Sequence, residues 1–249
     1  MTDIWTTAGG QEAICPLGGT GYRLVESQEV VATTQIVSSL ADQALLEEML
    51  EQSKPPMRAG TERLHYLLAT PFRYPPLSHG SRFGTRWEPS LFYGGTAVPV
   101  TLCEGAFYRF WFWYDNAAGP ARPVLQTQHT LFSFRYQCCR GVRLQGGPFT
   151  PFREQIRNPV SYRLTQQLGQ AMRSDEVEAF EYPSARDPAG GVNVALFTPD
   201  ALASDRPLNQ QACLCQTRAE RVEFSVGREV HAFQIDAFLI DGRLPLPAA

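Results

Sequence analysis

Arg82, Tyr93 and Glu104, side chains of catalytic type, lie close together in a mostly apolar stretch. Their block runs Pro71-Phe72-Arg73-Tyr74-Pro75-Pro76, Gly80-Ser81-Arg82-Phe83-Gly84, Leu91-Phe92-Tyr93-Gly94 and Leu102-Cys103-Glu104. A carboxylate beside Leu102, Cys103 and Phe107 is costly to bury unless it is paired or hydrogen-bonded. One reading is structural: an Arg82–Glu104 ion pair that pins a strand to a helix. The other is chemical: an anionic group held ready in a pocket. The residues alone leave both open.

The elements that must position this block can be sketched from periodicity and punctuation. His65 to Thr70 is a short apolar run ending at Pro71, and Leu91-Phe92-Tyr93 another ending at Gly94-Gly95. A helix is predicted over Leu102 to Tyr114, with deep burial expected from its aromatic density. Asn158-Pro159 predicts a helix start, a capping side chain followed by proline at the first helical position. Val160, Leu164, Leu168 and Met172 would form its buried stripe. Val177 to Tyr182 and Val192 to Phe197 read as strands around the turn from Pro183 to Gly191. Val222, Phe224 and Val226 alternate before Gly227, and a second strand through His231 to Ile235 closes a hairpin. Residues 1–55 read as an N-terminal extension, Gly-rich at Gly18-Gly19-Thr20-Gly21 and helical from Ile36 to Glu51. That helix is stopped by Ser53-Lys54-Pro55-Pro56; the extension as a whole reads as a lid on its own domain, with a docking element for another chain as the alternative. Residues 56–249 then form one α/β (α+β) domain.

Composition excludes several function classes. The 249 residues are 43% hydrophobic, with a formal net charge of −3, and the pI is about 5.8. This gives no general pull toward nucleic acid or an anionic membrane, and no direct nucleic-acid binding is expected. No apolar run is long enough to span a bilayer, and Met1-Thr2-Asp3-Ile4 lacks a signal peptide's basic start. The expected location is therefore cytoplasmic, where structural disulfides are rare. Cys138-Cys139 and Cys213-Leu214-Cys215 lack the gaps of zinc knuckles, so the cysteines read as small buried hydrophobes and no metal is expected. Gly19-Thr20-Gly21 has Leu24 where a dinucleotide fingerprint needs glycine. Lys54 is the sole lysine, which rules out a Gly-Lys-Ser/Thr phosphate loop. Ser81 sits one residue early for a nucleophile elbow. The histidines His65, His79, His129 and His231 have no metal-binding spacing.

Taken in order, Gly80 to Glu104, then Pro183-Ser184-Ala185-Arg186, then Gly190-Gly191-Val192-Asn193, the chain resembles the RES-domain family, named for its arginine, glutamate and serine. The similarity covers roughly residues 60 to 200. It maps the family pattern onto Arg82, Tyr93, Glu104 and Ser184. The usual Gly-Arg-Trp is Ser81-Arg82-Phe83 here, with Arg86-Trp87 a second candidate; Arg82 fits better because Tyr93 follows eleven residues later. The resemblance implies a fold like that of mono-ADP-ribosyltransferases and a toxin that consumes NAD⁺, paired with a Xre-type helix-turn-helix antitoxin. A homo-oligomer is compatible with the sequence.

In NAD⁺ the nicotinamide leaves as a neutral molecule from a cationic nitrogen, so no general acid is needed. One carboxylate should serve where glycosidases acting on sugar ethers use two. The resemblance gives that role to Glu104, at the oxocarbenium-like ribose. It makes Arg82 a clamp on the pyrophosphate, with Arg73 assisting. Tyr93 would present its ring to nicotinamide or ribose. Ser184 would orient Glu104 or bond substrate, and Asn193 would add a polar contact. Water, phosphate or a protein side chain could each act as acceptor, giving glycohydrolysis, phosphorolysis or ADP-ribosylation. A non-catalytic binding module is the alternative of a different class.

Overall fold

The computed structural model describes residues 3–27, 39–115 and 122–245. Eight strands form one mixed sheet: β1 (Cys15–Glu26), β2 (Phe92–Gly95), β3 (Leu125–Arg143), β4 (Ala179–Pro183), β5 (Val192–Leu196), β6 (Asn209–Thr217), β7 (Arg221–Val226) and β8 (Glu229–Gln234). The order is β1-β2-β5-β4-β3-β6-β7-β8, and β1 also pairs along β3, which closes the first five strands into a ring. The 19-residue β3 makes this possible. One of its edges takes β1; the other takes β6 along its N-terminal half and β4, in parallel, at Gly141–Arg143. The stretch read as a leading extension thus contributes β1 to the same sheet as the rest.

Alternation along the strands sorts their side chains between cores, as a period of two requires. Phe132, Phe134, Tyr136, Val194 and Leu196 join a cluster with Leu68 and Phe72 of helix α3 (Tyr66–Arg73). Phe180, Tyr182 and Ala195 point the other way, against Leu168 and Met172 of α6 (Arg163–Ser174). A third cluster packs Leu102, Ala106, Phe107 and Phe110 of α4 (Val98–Asp115) on Cys213, Cys215, Val222 and Phe224. The short helices α1 (Ile4–Thr7) and α5 (Arg153–Ile156) and the helix α2 (Leu40–Ser53) complete the set. No helix among the described residues is long and apolar enough to cross a membrane.

Several expectations from the sequence are corrected. Pro71 does not end its run; it falls inside α3, which His65 caps by accepting from Leu67 N–H. Asn158 caps a local turn instead of a helix: its side chain accepts from Val160 N–H and Ser161 N–H, and α6 begins at Arg163. Val160 and Leu164 are consequently exposed, and the buried stripe is Thr165, Leu168, Gly169 and Met172. Helix α4 starts earlier than predicted, and its burial is one-sided, since Tyr108, Phe112 and Tyr114 are exposed. Helix α2 packs loosely: none of its residues is buried, and Leu45 and Met49 are exposed. Ile36 lies outside the described residues. The strands read at Val177–Tyr182, Val192–Phe197 and in the C-terminal hairpin are present as β4, β5, β7 and β8.

Candidate active site

Glu104 stands on the first half of α4, and the β4–β5 turn brings its partners to it. Ser184 Oγ donates to Glu104 Oε1 at 2.6 Å, and Asn193 Nδ2 donates to the same oxygen at 2.7 Å. Both donors are almost completely buried, Ser184 at 0% and Asn193 at 2% exposure. No hydrogen bond from the described residues goes to Oε2, and Glu104 lines a cavity of about 620 Å³. The result is a carboxylate fixed through one oxygen by charge-assisted bonds, each stronger than a neutral pair.

The turn that carries both donors is itself over-determined. Ser184 N–H donates to Gly191 O, and Ser184 Oγ accepts from Arg186 N–H and Asp187 N–H. The Asp187 carboxylate accepts from Ala189 N–H and Gly191 N–H. Gly191 packs so closely that a Cβ there would come within 2.4 Å of Asp187 Oδ2 and 2.7 Å of Val100 Cβ. The glycine therefore sets how near the turn lies to the start of α4.

Arg82 also lines the cavity. Its Nη1 donates to Asn158 O at 2.8 Å and Ile156 O at 3.4 Å, and its guanidinium stacks over Tyr162, 4.7 Å from the ring centre. It makes no ion pair with Glu104, whose partners are Ser184 and Asn193; the strand-to-helix pin is absent. Tyr93 reaches the same cavity from β2. Its hydroxyl bonds Ser81 Oγ at 2.9 Å and accepts from Phe83 N–H, so it braces the segment that carries Arg82. Burial pushes the phenol up to about 12, against the lowering effect of the Ser81 bond, so it stays protonated at neutral pH. Behind this segment, α6 approaches at Gly169, where a Cβ would lie 2.0 Å from Phe83 O.

The structure brings Arg82, Tyr93, Glu104, Ser184 and Asn193 to one place, but not Arg73. From the last turn of α3, Arg73 donates to Pro55 O and pairs with Glu51 at 2.7 Å, and it does not line the cavity. A helix fixes side-chain direction, so closeness in sequence to Arg82 did not carry over into space. Arg86 is stacked on the exposed Trp87, away from the cavity lining. Sequence reasoning missed Arg23, Tyr108, Tyr162, Tyr182 and Arg186, all of which line the cavity. Arg186 had a signal, since it closes the Pro-Ser-Ala-Arg segment; the others depend on tertiary contacts.

Residues 55–220 match the family model described as RES domain. No curated protein matches the chain. Among solved structures, a chain in the crystal structure of the M. tuberculosis MbcT-MbcA toxin-antitoxin complex is similar with a TM-score of 0.48 and 10% identity. That similarity covers 83% of this chain and 90% of the other.

Proposed function

We propose, on the premise that the chain belongs to the RES family, that its cavity binds NAD⁺ and breaks the bond between nicotinamide and ribose. The biological role that goes with this activity is the toxin of a toxin–antitoxin pair, acting in the cytoplasm and held in check by a Xre-type antitoxin. The observation that carries the reading is the Glu104 carboxylate, held by Ser184 and Asn193 on the wall of a cavity that Arg82 also lines.

The chemistry needs little more. The C1′–N bond breaks with its electron pair going to nitrogen, and nicotinamide departs neutral. Glu104 faces the ribose as positive charge develops there. The acceptor, water or phosphate, forms the new bond at C1′; with water, the displaced proton passes to Glu104 and then to solvent. The products are nicotinamide and ADP-ribose, or ADP-ribose phosphorylated at C1′. A carboxylate acting this way is worth roughly 10²–10⁴-fold in rate. No second carboxylate is required, because the leaving group carries its own activation.

NAD⁺ consumption by the purified, partner-free protein tests the proposal, with products separated by chromatography and Glu104→Gln alongside. Wild type should release nicotinamide, and the variant should be slower by about 10²–10⁴-fold with its melting temperature nearly unchanged. Folded wild type that leaves NAD⁺ intact would overturn the reading, and the identity of the second product names the acceptor.

A further inference from the structure

Arg186 is a cation with unused donors. It is 6% exposed, lies with its guanidinium carbon 3.6 Å from the Phe107 ring centre, and lines the cavity. Its main chain is pinned on both sides, N–H donating to Ser184 Oγ and the carbonyl accepting from Cys103 Sγ. Its side chain, by contrast, donates no hydrogen bond to any described residue, and Nη2 is buried without a partner. A buried charge left this way is among the most costly features a fold can keep. Burial lowers its pKa from the usual arginine value, and the nearby charge of Arg82 adds to that lowering.

The other cavity arginines are partly spent. Arg82 gives Nη1 to two carbonyls, and Arg23 gives Nη1 to Tyr93 O. Against the guanidinium groups of Arg23, Arg82 and Arg186, the cavity lining holds the carboxylates of Glu104 and Glu26. Glu26 is paired with Arg109 at 3.7 Å. Guanidinium groups therefore outnumber carboxylates along the cavity lining, and the Phe107 ring packs directly against the Arg186 guanidinium.

We propose that Arg186 binds the diphosphate of the substrate, taking the clamp role that the family resemblance assigns to Arg82. A guanidinium presented edge-on suits phosphate oxygens through paired hydrogen bonds, which a lysine cannot reproduce. Arg82, held by carbonyls and Tyr162, instead shapes the wall. The proposal rests on the NAD⁺ reading for the identity of the ligand, but its test does not need turnover.

Calorimetric titration with ADP, which carries the diphosphate but no nicotinamide, compares wild type with Arg186→Met and Arg186→Lys. Arg186→Met keeps bulk over Phe107 and should weaken ADP binding about 10- to 100-fold, the worth of hydrogen bonds to a charged group. Arg186→Lys should fall between the two. Melting temperature checks the fold, and if Arg186→Met unfolds, the comparison of wild type with Arg186→Lys decides. ADP that fails to bind wild type, or binds the folded variants equally well, overturns the assignment. Wild type that binds ADP through Arg186 yet leaves NAD⁺ intact keeps this inference and removes the catalytic one.

Discussion

Ser184→Ala separates a structural serine from one that serves the carboxylate. In the wild-type protein Ser184 Oγ donates to Glu104 Oε1 at 2.6 Å while accepting from Arg186 N–H at 3.1 Å and Asp187 N–H at 3.0 Å. Alanine removes all of these bonds and fills little of the space. Two backbone donors lose their acceptor, each worth roughly 1–3 kcal/mol where water cannot replace it. Asp187 N–H is only partly buried, so the expected loss of stability is about 2–4 kcal/mol. The catalytic effect is a separate quantity. Glu104 loses one of its two donors, a charge-assisted bond worth roughly 1.5–3 kcal/mol, which converts to about 10- to 100-fold in rate. Because Asn193 holds the same oxygen, the two donors should couple. Asn193→Ala alone should cost a similar factor, and the double variant should depart from additivity by more than about 0.5 kcal/mol. The assay is NAD⁺ turnover below saturation together with urea or thermal unfolding of the same samples. A Ser184→Ala protein that loses stability but turns over NAD⁺ at the wild-type rate would refute a role for Ser184 in holding Glu104 and leave it as a turn residue.

Packing elsewhere in the fold sets two more outcomes, one behind the site and one away from it. Gly169→Ala should destabilise by about 1–3 kcal/mol or more, because its Cβ would meet Phe83 O at 2.0 Å; it should also raise KM for NAD⁺ by displacing the Arg82 segment, and an unchanged melting temperature would contradict this. His129 is nearly buried, and burial, then the charge of Arg109, lowers its pKa from 6.5 to about 4. A group whose folded pKa is depressed gives stability that is full above pH about 6.5 and is lost as pH falls through about 4, here at most about 3 kcal/mol. Melting temperature followed from pH 7 to pH 4 should therefore fall less steeply in His129→Gln than in wild type, and parallel curves would refute the assignment.

How much of this was legible in the sequence depends on the distance over which each residue acts. The C-terminal hairpin was readable because alternation and Gly227 are local signals. Here β7 and β8 pair from Val226↔Glu229, leaving a two-residue turn in which Gly227 has φ +60°. Asn158 misled for the same reason: its side chain satisfies donors within three residues, which serves a turn as well as a helix cap. Helix α2 was readable as a helix, with Ser39 accepting from Asp42 N–H at its start. What its apolar residues would touch was not, since burial is decided by tertiary neighbours.

The site itself shows where local reading ends. Glu104, Ser184 and Asn193 span 89 positions, yet their bonds meet at one oxygen. What closes that gap is topology: β4 and β5 pair antiparallel, with Pro183 opposite Val192 and Tyr182 opposite Asn193, so the turn returns Asn193 to the strand beside Ser184, two residues from its level. Ser184 and Asn193 stood out only through the ordered series of motifs, because a serine in a turn and an asparagine in a strand are each ordinary. Arg23 had no such series to belong to. It lies on β1, before the stretch that matches the family, and reaches the cavity only because β1 pairs along β3 and closes the ring. The cavity wall is therefore a product of ring closure, and a reading confined to the matched segment would miss two of its charges, Arg23 and Glu26.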